Sequence, residues 1–175
     1  MNEQDHSGGA KNVRTLKSNV DFDLSLPLDY NKAVSALNGN EQLYFSMLSR
    51  FENSSLNECL TQLKEGIEGG ELDKVYQGYH TLKSASGYIG AGRVHFACYF
   101  IQEAQRQKDM RKLMYSYPLL VETCIEFRIY ARKFIADLRK EPYTESNSAG
   151  EIQIAKGFTM EQDAESSKFY ILKEG

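Results

Sequence analysis

Apolar residues recur along this chain at intervals of three and four, with capping or turn-forming residues between the runs, a pattern of successive amphipathic helices rather than strands. Asp29 is placed to cap a short first helix reaching Leu37, and Asn38-Gly39 supplies its stop. Asn40 caps a second helix with an apolar face of Leu43, Tyr44, Met47, Leu48 and Phe51. Asn53-Ser54-Ser55 is expected to break it and cap a third, where Leu56, Cys59, Leu60, Leu63 and Ile67 stand at helical spacing before Gly69-Gly70. Joints this short favour antiparallel neighbours, so the second and third helices are expected to form a hairpin. A fourth helix, about 71 to 87, carries Leu72, Val75, Tyr76, Tyr79 and Leu82 inward, with Ile89 following, and ends in the glycines Gly87, Gly90 and Gly92. A fifth presents Val94, Ala97, Cys98, Ile101 and Ala104. Asp109 opens the last region, where Leu120, Cys124, Phe127, Ala131, Phe134 and Leu138 predict a helix of roughly twenty residues, with Pro118 in its first turn or kinking it.

Together these elements predict an all-α fold, an antiparallel four-helix bundle with a short N-terminal capping helix, over residues 21–140. Residues 1–20 lack apolar periodicity and read as a flexible N-terminal tail. Phe22, Leu24, Leu26 and Leu28 alternate around Pro27, which suggests an extended segment lying on the bundle as a lid. Residues 141–175 shift to Pro, Ser, Gly, Asn and acids and read as a flexible C-terminal tail, with apolar spots at Ile152 with Ile154 and at Phe169 to Leu172.

The formal net charge of −3, with both signs interspersed and no basic block, argues against nucleic acid or an anionic membrane as partner. The first ten residues lack an apolar leader-like run, and no stretch approaches the length of a membrane span, so a cytoplasmic setting is expected, or a nuclear one in a eukaryote. Cys59, Cys98 and Cys124 each fall on an apolar helical side without Cys-x-x-Cys spacing, and are read as reduced core residues rather than a zinc site. No Glu-x-x-His lies in the predicted helices to support a di-metal bundle, and no metal or other cofactor is expected.

One residue of the fourth helix stands apart. At about 100° of rotation per residue, His80 falls on the flank of the apolar stripe, facing water. Lys83 and Ser84 lie one turn on, Gln77 and Tyr76 one turn back. Ser84, Ala85, Ser86 and Gly87 are small where a solvated helix ordinarily carries long charged side chains, and Gly inside a helix costs roughly 1 kcal/mol against Ala. A bare surface that lets another protein approach the imidazole is a physical reason for that cost. His95, beside the fifth stripe among Phe96 and Tyr99, and His6 in the tail are read as carrying no chemistry.

The run His80-Thr81-Leu82-Lys83-Ser84-Ala85-Ser86-Gly87-Tyr88-Ile89-Gly90-Ala91 resembles the phosphorylation motif of histidine phosphotransfer (HPt) domains, the phosphoryl carriers of multistep two-component relays. The resemblance extends over roughly residues 24 to 139, through Leu28-Asp29-Tyr30, Ala33, Leu37, Gly39, Leu43 and Phe51 upstream and Cys98 to Glu103 downstream. Ser84 stands where the family most often has glycine, and Tyr88 at a position often small or polar, departures that bear on partner choice.

The resemblance implies that His80 is the phosphorylated residue, with Lys83, Ser84, Gln77 and Gly87 forming the surrounding binding surface. Lys83 can offset developing negative charge and Ser84 can donate to a phosphate oxygen. The implied partners are receiver domains of hybrid histidine kinases and response regulators, which would bring the metal ion. The chain itself shows no nucleotide-binding signature and reads as a carrier, not an ATP-dependent kinase. The competing expectation is a helical adaptor that binds such domains without moving phosphate.

Overall fold

The computed structural model describes residues 22–143, together with two short strands beyond them. The first helix, α1 (Tyr30–Ala36), starts where the Asp29 carboxylate accepts from the Lys32 amide, and the next, α2 (Glu41–Arg50), where Asn40 accepts from Leu43. Both expected caps are therefore present.

The expected hairpin after α2 is not. Phe51–Ser55 is a single π-helical turn that leads directly into α3 (Leu56–Gly69), so residues 41–69 form one helical rod. Asn53-Ser54-Ser55 does not break it, and the Ser54 hydroxyl is satisfied inside the helix. Ser54 Oγ donates back to the Arg50 carbonyl, four residues earlier, at 2.9 Å. Within this widened turn Arg128 Nη2 donates to the Glu52 carbonyl.

The chain reverses at Gly70, whose φ of +66° suits a residue without a Cβ, into α4 (Leu72–Ile89), and again at Gly90 (φ +80°) into α5 (Gly92–Arg106). The last helix, α6 (Met110–Arg139), is 30 residues long, with Pro118 in its interior, and at 1.5 Å per residue it extends about 45 Å. It is thus longer than the apolar stripe alone indicates, because Asp109 caps it eleven residues before Leu120, accepting from Lys112 at 3.0 Å. The α3 segment packs on α4, α4 on α5, α5 on α6, and α6 back on α3, closing an antiparallel four-helix bundle.

Leu48, Leu56, Leu63, Val75, Leu82, Val94, Ile101, Leu120 and Phe127 fill its core with 0 % exposure, and Cys59, Cys98 and Cys124, from α3, α5 and α6, are free thiols buried among them. Burial pushes the Cys59 thiol up to about 11 and raises the Cys98 and Cys124 thiols as well, which disfavours the reactive thiolate at all three.

The N-terminal pieces close the end of the bundle where α4 turns into α5. Asp29 N–H donates to the Gly90 carbonyl at 2.8 Å, and the buried Tyr44 hydroxyl donates to the Ile89 carbonyl at 2.9 Å. Phe22 and Leu24 lie over Gly92, where a Cβ would come within 2.8 Å of Phe22, and Arg93 holds the Leu24 and Ser25 carbonyls. Leu28 is buried whereas Leu26 is 47 % exposed, so this segment covers the bundle through a turn rather than by strict alternation.

Residues 1–20 and Ile152 with Ile154 lie outside the described residues. Within 141–175, Thr159–Gln162 (β1) and Phe169–Leu172 (β2) pair antiparallel, with Met160 opposite Ile171.

Arg128 has no exposed surface, and removing its head group strands the Glu52 carbonyl and the Asn57 amide oxygen. Arg128→Met is expected to lower unfolding free energy by about 2–4 kcal/mol in urea titration. A loss below about 1 kcal/mol would show that the π-turn stands without it.

Candidate functional site

The inward side of α4 is Val75, Tyr79, Leu82, Ser86 and Ile89, all buried, and this places His80 in solvent on the outer side. Two glycines bring the helix close to α3. A Cβ on Gly78 would stand 2.8 Å from Leu63 Cγ, and one on Gly66 would stand 2.9 Å from Val75 Cγ2. Sequence reasoning passed over both glycines, although a glycine inside a helical run is itself a signal of close packing. Next to this contact Gln62 Nε2 donates to Gln77 Oε1 at 3.1 Å, fastening one edge of the histidine face to α3.

Lys83 fastens the other edge to α5. Its ammonium donates to Gln102 Oε1 at 2.9 Å and lies 4.9 Å from the centre of the Tyr99 ring. Both partners are neutral, and among the described residues no carboxylate lies within ion-pair distance of this ammonium. The lysine is therefore held in place with its charge uncompensated.

Its backbone is held as well, since the Lys83 carbonyl accepts from Ser86 Oγ at 3.0 Å and from His95 Nδ1 at 2.7 Å. A carbonyl can only accept, so His95 carries its proton on Nδ1. Its Nε2 is buried with no partner among the described residues, and Phe22, Phe96 and Tyr99 meet the ring edge-on. Burial pulls the His95 imidazole below its ordinary value, which the Lys83 charge reinforces and the Lys83 carbonyl opposes. Where the sequence suggested a partly buried or surface histidine, the structure buries it, 7 % exposed.

Gly87 belongs to the same contact. It is helical and half-buried, and an added Cβ would come within 3.2 Å of His95 Nδ1. Its bareness thus serves packing against His95, and the left-handed turn residue is Gly90. Ser84 is exposed one turn beyond His80, and Tyr88, 70 % exposed, one turn beyond that.

Tyr76 differs from expectation. Its place in the apolar periodicity suggested a core residue, yet it is 45 % exposed and its ring lies flat on the His80 imidazole, with centroids 5.3 Å apart and planes 12° from parallel. The i, i+4 spacing of Tyr76 and His80 held that signal.

The five residues singled out from sequence thus lie along one helix: His80 and Ser84 in solvent, Gln77 and Lys83 tethered to the helices on either side, and Gly87 against His95. Gln102 and Tyr99, which hold Lys83, were not singled out, because their position opposite it depends on how α5 packs.

Such a surface offers a solvated nucleophile on a rigid helix with a fixed cation one turn away. Among the described residues no group of three His, Cys, Asp or Glu side chains could hold a metal ion, and no helix is long and apolar enough to cross a membrane.

The family model described as Hpt domain matches residues 46–128, a span that contains all five of these residues. No curated protein and no solved structure gives a match to the chain.

Because burial favours neutral His95, its folded value lies below its unfolded one, and its contribution to stability is complete above pH about 6.5 and is lost as pH falls from there toward the folded value. Between pH 7 and 5.5 the stability of the parent is expected to fall more steeply than that of His95→Asn, whose amide N–H stands where Nδ1–H does and which does not titrate. Parallel slopes in pH-dependent urea unfolding would contradict this.

Proposed function

With residues 46–128 an Hpt domain, the histidine phosphotransfer module of a phosphorelay, we propose that His80 takes a phosphoryl group from a receiver-domain aspartate and passes it to a response regulator. The observation that carries this is the solvent-facing His80 imidazole inside the matched span, on a helix that also holds an uncompensated Lys83.

Neutral imidazole is available near physiological pH and has an in-plane lone pair. That lone pair attacks the phosphorus of the aspartyl phosphate in line. The N–P bond forms as the P–O bond to the aspartate breaks, the electron pair leaves on the carboxylate, and the proton on the other ring nitrogen is free to pass to water. The reverse sequence, with the aspartate of a second receiver as nucleophile, discharges the carrier.

Lys83, fixed by Gln102 and Tyr99, offsets negative charge on the equatorial oxygens without having to be ordered as charge develops. Ser84 can donate a hydrogen bond to one of those oxygens, and Gln77 and Gly87 border the face on which a receiver docks. The receiver supplies the reacting aspartate and its own metal site, so the partners are receiver domains of hybrid kinases and response regulators. A cytoplasmic setting, or a nuclear one in a eukaryote, accords with such partners.

Mixing the protein with a phosphorylated receiver domain should move the label to His80 alone, in a form labile to acid and stable to base, as a phosphoramidate is. His80→Gln should accept none. Label on His95, or on the His80→Gln variant, would overturn the assignment, and receiver binding with no label would leave a helical adaptor.

Lys83→Ala removes one hydrogen bond and a half-exposed cation–π contact, so its stability should change by about 1 kcal/mol or less. Its transfer rate should nevertheless fall about tenfold, equivalent to about 1.4 kcal/mol of barrier. An unchanged rate in rapid-quench measurements would reduce Lys83 to a structural tether.

A further inference from the structure

We propose that Tyr76 is the positioning residue for His80, orienting the imidazole for phosphoryl transfer by stacking on it. This rests on the carrier reading above and adds to it the element that aims the nucleophile.

An exposed histidine on a helix has a freely populated χ2, which is broad and roughly two-fold. The nitrogen lone pairs lie in the ring plane, so in-line attack requires that plane to be set. Helical side chains lean toward the N-terminus, which carries His80 over the residue one turn back, and that residue is Tyr76. The two rings are 5.3 Å apart and 12° from parallel, an offset stack in which the phenol flanks the imidazole and defines its ring plane. The bond formed at nitrogen lies in that plane and runs alongside the phenol ring instead of into it. The stack therefore orients the nucleophile without obstructing the phosphoryl group.

The phenol is itself seated from the core. Tyr76 meets Tyr79 edge-on, with centroids 5.4 Å apart and planes at 80°. Tyr79 is buried, and its hydroxyl donates to Gln105 Oε1 on α5 at 3.3 Å. Orientation thus passes from α5 through Tyr79 and Tyr76 to the imidazole. The Tyr76 hydroxyl takes no part in this path, so phenylalanine at 76 preserves the stack, whereas alanine removes it and retains high helix propensity.

The test compares the parent, Tyr76→Phe and Tyr76→Ala, each checked for helicity. Ring-current shifts of the His80 ring protons in NMR spectra report the stack independently of any transfer. They are expected upfield in the parent and in Tyr76→Phe, and near coil values in Tyr76→Ala. Single-turnover transfer from a saturating phosphorylated receiver domain should be about tenfold slower in Tyr76→Ala and within twofold of the parent in Tyr76→Phe, while affinity for an unphosphorylated receiver stays within twofold in both. Three results would overturn the proposal: no upfield shift in the parent, a slow Tyr76→Phe, or a Tyr76→Ala whose defect lies wholly in receiver affinity. Failure of the carrier reading shows differently, as absence of label on parent His80 while the ring-current shifts persist.

Discussion

The bundle is organised around a guanidinium with no exposed surface. Arg128 of α6 donates to the Glu52 carbonyl and, at 3.0 Å, to Asn57 Oδ1, while the Glu52 carboxylate, almost fully buried, accepts from Arg132 Nε at 2.7 Å. A buried carbonyl costs about 1–3 kcal/mol if left unsatisfied, and a buried charge left unpaired costs more. Each group here answers the other's need. The result is that residues 41–69 continue through a π-turn as one rod, and that this rod is fastened to the longest helix of the fold.

With those two rods joined, the shorter helices α4 and α5 occupy the remaining sides. Gly66 and Gly78 allow α4 to approach α3 at a distance no side chain would tolerate. Its C-terminal carbonyls, which a helix end leaves orphaned, are taken up by the Tyr44 hydroxyl and the Asp29 amide. The histidine helix is thus held along its length and at its end by groups from α2, α3 and the segment before α1.

Rigid support on the inner side gives the outer side its character. Gln77 is tied to Gln62 and Lys83 to Gln102 and Tyr99, so His80 sits between two fastened neighbours while itself reaching solvent. Holding a cation by an amide and a ring, with no carboxylate among the described residues paired to it, leaves its charge available to the phosphoryl group of the proposed reaction. His95 supports this from beneath, since its ring fills the space Gly87 leaves and its N–H fixes the Lys83 carbonyl.

Much of this was legible in the chain itself. The 3.6-residue periodicity, the Asp29, Asn40 and Asp109 caps, the three buried cysteines and the motif around His80 follow from local chemistry, because helix faces and caps depend on residues within a turn of one another. What the sequence could not decide were outcomes set by contacts between residues far apart. Asn53-Ser54-Ser55 has the composition of a break, yet it is a turn of helix in which Ser54 bonds back to Arg50 and to which Arg128, 76 residues beyond Glu52, is fastened. Gly87 has the look of a surface residue until His95 is packed on it, and Lys83 of a mobile cation until α5 brings Gln102 and Tyr99 across. Tyr76 lies between these cases: its spacing from His80 is written in the sequence, but whether its ring turns to the core or to the imidazole depends on the room left by Tyr79, which only the tertiary packing settles.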